Sequence, residues 1–110
     1  MSSAEFVYDG SAIDHTPDAD LAMGEIVVQG DLVGITKRAI KADMLGAIAV
    51  EGVFDVPKTP ASAVAFAVGQ KVYVDGSNEP QTTATGNKLL GKAVLAAAAD
   101  DDNVRVRLSQ

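Results

Sequence analysis

The chain states one pattern twice. Leu21-Ala22-Met23-Gly24-Glu25-Ile26-Val27-Val28 is answered by Phe66-Ala67-Val68-Gly69-Gln70-Lys71-Val72-Tyr73-Val74. Downstream, Leu32-Val33-Gly34 and Ala39-Ile40-Lys41-Ala42-Asp43 are answered by Leu89-Leu90-Gly91 and Ala96-Ala97-Ala98-Ala99-Asp100. Each half then closes on an alternating strand, Ile48-Ala49-Val50 in one and Val104-Arg105-Val106 in the other. Two similar strand-rich halves, each with one apolar face, bury those faces only against each other. The echo therefore points to a scaffold. It places no catalytic groups.

At 110 residues the chain is one domain, and a chain of that size hides roughly two-thirds of its unfolded surface on folding. Its apolar material is small: no Trp, three Phe, two Tyr, and many Ala beside Val, Leu and Ile. Burial contributes roughly 25 cal/mol per Å² of apolar area, so an Ala-heavy core favours association with a partner or with further copies. A net charge of -6 argues against nucleic acid as a ligand, because phosphate binding needs concentrated Lys and Arg. With no Cys, disulfides, thiolate zinc sites and thiol catalysis are excluded together, which fits a reducing cytoplasm. Met1-Ser2-Ser3-Ala4-Glu5 lacks the basic start and apolar run of a signal peptide, and no apolar stretch approaches the roughly 20 residues that cross a bilayer.

Along the chain, Phe6-Val7-Tyr8 is an apolar island ended by Asp9-Gly10, and Ala12 to His15 reads as a short strand. Glu25 to Gln29 and Leu32 to Thr36 form a hairpin about Gly30-Asp31. The longest alternation runs from Leu45 to Val56, with Ile48, Val50, Gly52, Phe54 and Val56 on one face. Ala61 to Val68 suits either a strand or a short helix. Lys71 to Asp75 is a strand, and the Thr-rich Gln81 to Thr85 pairs back across a polar tip. Leu89 to Leu95 and Val104 to Leu108 complete the set. The expected fold is all-β, a small barrel or two-layer sandwich built from two similar halves with little helix. The expected organisation is a single β domain over 1–110, with an N-terminal arm at 1–8 and a first half at 21–56. The second half spans 66–108 and carries an inserted hairpin at 75–88.

Four places invite a chemical reading. Gly86-Asn87-Lys88-Leu89-Leu90-Gly91-Lys92-Ala93 fits the spacing of a phosphate loop but puts Ala93 where a magnesium-binding hydroxyl belongs. Gly91 also has its own counterpart in Gly34, which explains it as a strand bend or a close backbone contact. Asp14-His15-Thr16-Pro17-Asp18-Ala19-Asp20 holds the one His beside three carboxylates. A polar turn with Asp caps explains that stretch better than a metal site. Asp100 to Asp102 lacks the spacing of a calcium loop and reads as a solvated turn. Glu51 and Asp55 share a strand face and form an acid–base pair only if that face lines a cleft. No catalytic, cofactor-binding or metal residue is assigned, no cofactor is expected, and the chain reads as not an enzyme.

The strings Gly30-Asp31-Leu32-Val33-Gly34-Ile35 and Gly46-Ala47-Ile48-Ala49-Val50-Glu51-Gly52-Val53-Phe54-Asp55-Val56-Pro57-Lys58 resemble a family of short tailed-phage and prophage proteins. Val72-Tyr73-Val74-Asp75, Thr82 to Asn87, Leu90 to Ala93 and the Val104-Arg105-Val106-Arg107-Leu108 ending extend the resemblance from about Phe6 to Leu108. Members are capsid cement or head decoration proteins, some labelled recombinase-like. The resemblance implies a structural virion protein on the capsid outer surface, made in the bacterial host cytoplasm, that stabilises the expanded head. Its implied partners are the major capsid protein and itself, a homotrimer ahead of a dimer, with no nucleic acid and no membrane. Phe6, Val7 and Tyr8 are the candidate interface, as an edge strand on the capsid protein or within the oligomer; otherwise they fill one end of the barrel. Two other readings stand beside this one: a nucleotide-binding recombination factor using Gly86 to Lys92, and a ligand-binding β-domain.

Overall fold

A computed structural model describes residues 4–7, 10–59 and 64–109. Nine strands run through them, every ladder is antiparallel, and no helix forms among the described residues. The first sheet holds β1 (Ala12–His15), β2 (Ile26–Gln29), β3 (Leu32–Thr36) and β4 (Gly46–Ala49) in the order β1-β4-β3-β2. The second holds β5 (Val53–Pro57), β6 (Lys71–Val74), β7 (Pro80–Gln81), β8 (Lys88–Ala93) and β9 (Asn103–Leu108) in the order β5-β9-β8-β6-β7. The sheets do not close into a barrel, so of the two expected architectures the chain adopts the sandwich-like one. With the short β7 set aside, the two orders are the same. In each sheet the first strand lies beside the last, and a long connection leads to a three-strand meander, which is Greek-key winding.

The sequence echo is reproduced in the backbone, hydrogen bond by hydrogen bond. Leu21 and Ile40 exchange N–H···O bonds of 2.7 and 2.9 Å, while Phe66 and Ala97 exchange two of 2.9 Å. Gly24 N–H donates to Thr36 O at 2.7 Å, and Gly69 N–H donates to Ala93 O at 2.7 Å. The return bonds, Thr36 to Glu25 and Ala93 to Gln70, measure 3.0 and 2.9 Å. The closing strands are equivalent with a two-residue offset from the sequence echo. Thr36 pairs with Ile48 where Ala93 pairs with Val106, so Ile48 corresponds to Val106.

The boundary between the sheets falls inside the stretch that reads as one continuous strand. Period-two alternation runs unbroken from Leu45 to Val56, yet Gly52 adopts φ +116°, a conformation L side chains rarely take. The chain leaves the first sheet there. Residues 53–56, counted with the first half on sequence, pair with β9 in the second sheet, Phe54 opposite Val106 and Val56 opposite Val104. This makes β5 the counterpart of β1: Val50 N–H donates to Ser11 O at 3.0 Å, and Leu108 N–H donates to Gly52 O at 2.9 Å. Of the ambiguous Ala61 to Val68 stretch, residues 61–63 lie outside the described residues. Val64 to Val68 forms no helix and carries the Phe66 bridge.

The main core draws on both sheets. Val33 and Ile35 of β3 meet Val72, Val74, Leu90 and the inward-facing Val104, Val106 and Leu108 of β9. Phe66 and Ala97, the bridge pair of the second half, are buried in the same cluster. Along β9 the alternation holds, with Arg105 and Arg107 facing outward. Ile40 and Ile48 are buried outside that cluster, against Gly46 and Gly34. The buried Thr36 hydroxyl ties the Ala22–Glu25 turn to β3, donating to Ala22 O at 2.7 Å and accepting from Glu25 N–H at 2.9 Å. The inserted tip is organised by Asp75. Its Oδ1 accepts from the N–H groups of Ser77 and Glu79 at 2.8 and 3.0 Å, and Gln81 Nε2 donates to Oδ2 at 3.0 Å. Pro80 sits in an edge strand, where its missing donor costs no ladder bond.

Candidate functional site

Each chemically suggestive place resolves into a structural role. The loop-like Gly86 to Ala93 segment is a turn running into an antiparallel strand. Asn87 closes the turn, its N–H donating to Ala84 O at 3.0 Å and its Nδ2 to Thr83 O at 2.8 Å. Lys88 forms an ion pair with Asp31 at 2.7 Å, which holds the Asp31 carboxyl below its usual pKa through that hydrogen bond and charge. Lys92 lies in the middle of β8 and faces solvent. Gly91 is required by space: a Cβ there would overlap the Arg107 carbonyl oxygen and lie 2.8 Å from its carbon. The amides of this segment serve a sheet ladder and a turn, not a phosphate cradle.

The acidic stretches behave likewise. Asp20 Oδ1 accepts from Ala42 N–H at 2.8 Å, and Asp101 Oδ2 accepts from Ala98 N–H at 2.8 Å. Both cap connections, as short polar side chains do in turns. Gln29 Nε2 donates to His15 Nδ1. Among the described residues no three metal-ligating side chains come together. Asp55 is gripped by Arg105 in a two-pronged contact of 2.9 and 3.2 Å, and the Arg105 hydrogen bond holds its carboxyl below the usual range. Glu51 precedes the Gly52 break and is not on β5, so the two carboxyls share no strand face.

The structure also exposes apolar side chains, a row of cations and a groove. Phe6 and Val7 are 79 and 80% exposed; Tyr8, the third member of the expected interface, lies outside the described residues. Register brings a row of cations together. Lys71 stands opposite Lys92, and Lys92 opposite Arg107, across three neighbouring strands. Like charges placed directly opposite destabilise a sheet, and no carboxylate is ion-paired with any of the three among the described residues. Sequence alone shows Arg105 and Arg107 alternating, but only register reveals the lysines beside them. A groove of ≈ 480 Å³ is lined by Ala12, Ala47 and Ala49 of the first sheet and by Met44 and Leu45. All of its lining but Ala12 comes from residues 37–49, and the groove forms where that stretch folds beside β1.

The model of the phage cement protein family matches residues 7–108. The chain belongs to that family. No curated protein and no solved structure matches it. The family is a structural one, so this cement protein is a component of a phage capsid. An all-β frame with its functional groups committed to turns, ladders and surface ion pairs accords with such a role.

Proposed function

We propose that the protein binds the outer surface of a phage capsid in many copies, as a homotrimer, and stabilises the expanded head. The observation that carries this reading is the cement-family match over residues 7–108. A shell filled with DNA is under outward pressure that pulls its subunits apart. A rigid β-domain straddling neighbouring subunits adds interface that the bare shell lacks, and linked copies multiply moderate contacts through local concentration. The molecule measures 47 × 38 × 24 Å, so its broad side exceeds the roughly 800 Å² per partner of a standard interface. The row Lys71, Lys92 and Arg107 is the part of that surface suited to an acidic shell. The protein's net charge of -6 keeps it from competing for the packaged DNA.

Mixing the purified protein with expanded, undecorated capsids tests the proposal. Stoichiometric attachment and a higher temperature of capsid disruption are expected. The double variant Lys71→Glu, Lys92→Glu should attach at least about tenfold more weakly, because reversing charges that face an acidic partner slows encounter and replaces attraction with like-charge repulsion. Wild-type protein that leaves the capsids bare would refute the attachment itself.

A further inference from the structure

The internal repeat provides a control for the groove. Register makes Ala47 and Ala49 the counterparts of Arg105 and Arg107, and Ala12 the counterpart of Val53. In the second half large side chains occupy the positions that line the groove in the first, with Arg105 fixed by Asp55. The groove is therefore a divergence of one repeat, not a consequence of the fold. Its other lining residues diverge too. Lys37, Arg38 and Lys41 contribute three cations where the second half has Val94, Leu95 and Ala98. Met44 and Leu45, 60 and 71% exposed, fall in the connection where the second half carries the polar Asp101-Asp102-Asn103.

An apolar groove lined also by three cations in an acidic protein calls for an apolar segment flanked by carboxylates. The chain carries one: Glu5-Phe6-Val7-Tyr8-Asp9. Phe6 and Val7 are largely exposed and line no part of the groove, so neither fills it in its own chain. We propose that the groove receives the N-terminal arm of a second copy of this chain. The apolar arm side chains lie against Met44 and Leu45, and Glu5 and Asp9 meet Lys37, Arg38 and Lys41. Apolar burial supplies the affinity, and the charges set the direction and register of the arm. The inference rests on the reading of the protein as a multi-copy adhesive. It is measured without capsids, however, so its failure leaves the attachment assay free to succeed.

The test uses full-length chains and their mass in solution. The arm variant carries Phe6→Ser, Val7→Ser and Tyr8→Ser; the groove variant carries Lys37→Glu, Arg38→Glu and Lys41→Glu. Phe6, Val7, Lys37, Arg38 and Lys41 are exposed, and circular dichroism checks that each variant keeps the β fold. Wild-type protein should sediment as an oligomer that weakens as salt screens the charges, and each variant should be monomeric at the same concentration. Mixing the two variants should restore association, because one supplies an intact groove and the other an intact arm. Reversing Glu5→Lys and Asp9→Lys within the groove variant should restore it as well. A monomeric wild type, an arm variant that keeps the wild-type mass, or a mixture that stays monomeric would each overturn the proposal.

Discussion

Replacing Gly91 with Ala isolates the close approach of β8 to β9 that the repeat is built around. Gly91 does not adopt a left-handed backbone, so the cost arises from space alone. The new Cβ would overlap the Arg107 carbonyl oxygen and sit 3.0 Å from Leu108 Cα, both backbone groups that no rotamer change can move. Relief requires β8 and β9 to separate where Gly91 pairs with Leu108 and Lys92 with Arg107. Overpacking costs about 1–3 kcal/mol, and each weakened ladder bond costs about 1 kcal/mol. Against this, alanine restricts the unfolded chain and returns about 0.4–1 kcal/mol. The net loss is about 2–4 kcal/mol, a large part of the roughly 5–15 kcal/mol typical of a domain. Gly34→Ala is the matched control. Its Cβ would meet Ile48 Cδ1 at 2.8 Å and Ala49 O at 3.0 Å, and the nearer obstacle is the end of a flexible side chain. It should cost no more than about 1–2 kcal/mol. Urea unfolding followed by circular dichroism, the chain having no Trp, measures both. Gly91→Ala within about 0.5 kcal/mol of wild type, the range of ordinary surface changes, would refute the argument, as would a larger loss at Gly34.

Two further outcomes follow from single side chains. Thr36→Val removes the hydroxyl that serves Ala22 O and Glu25 N–H; the expected loss in urea is about 1–3 kcal/mol, and hydrogen exchange at Glu25 should rise. Asp75→Asn keeps the tip's geometry but removes its charge. The backbone N–H of Glu79, followed by that of Ser77 and the Gln81 amide, holds the Asp75 carboxyl below its usual pKa. A depressed carboxyl contributes stability above its unfolded pKa of about 3.9 and loses it as pH falls through the lower folded value. The variant should therefore be less stable than wild type near neutral pH and indistinguishable from it well below that pKa. A difference that stays constant across this range would show that charge is not what Asp75 contributes.

The frame was legible because the repeat is written in residues whose backbone roles are narrow: Gly24 and Gly69 before a strand, Gly34 and Gly91 within one, and the apolar positions between. The all-β class and the reading of Gly91 as a close backbone contact both followed from that pairing. Ala12 to His15 was legible as a strand, but its equivalence to residues 53–56 was not, because Ala12-Ile13-Asp14 and Val53-Phe54-Asp55 share little beyond a terminal Asp; the equivalence appears only when both pair with the closing strand of their sheet. The Gly52 break was hidden by an alternation that continues across it, since periodicity records which way side chains point and not where a ladder ends. The cation row was illegible for a different reason. It depends on which residues stand opposite one another, and register is a property of pairs of strands.

The two halves share a backbone pattern and differ in the side chains hung on it. Val27 and Val72, Gly34 and Gly91, and Ile48 and Val106 keep the same character at equivalent positions. Ile26 and Ile35 give way to Lys71 and Lys92, and the basic Lys37-Arg38 connection gives way to one ending in Asp100-Asp101-Asp102. The frame thus repeats its strand order and ladder while its outer surface differs from one half to the other. A two-fold outside would favour self-complementary pairing of like with like. An outside that differs between the halves favours contacts in which one surface of a copy meets a different surface of the next, and such contacts close into rings or run on as filaments. An arm passed to a neighbour's groove is a contact of that kind, because every copy both gives and receives. If the arm passes to the next copy around a three-fold axis, every groove in a trimer is filled and none is left to recruit a fourth copy. An arm returned to its own donor would stop growth at two. The solution mass of the wild type therefore tests the direction of exchange as well as its existence: three copies fit the handed-on arm, and two require reciprocal exchange.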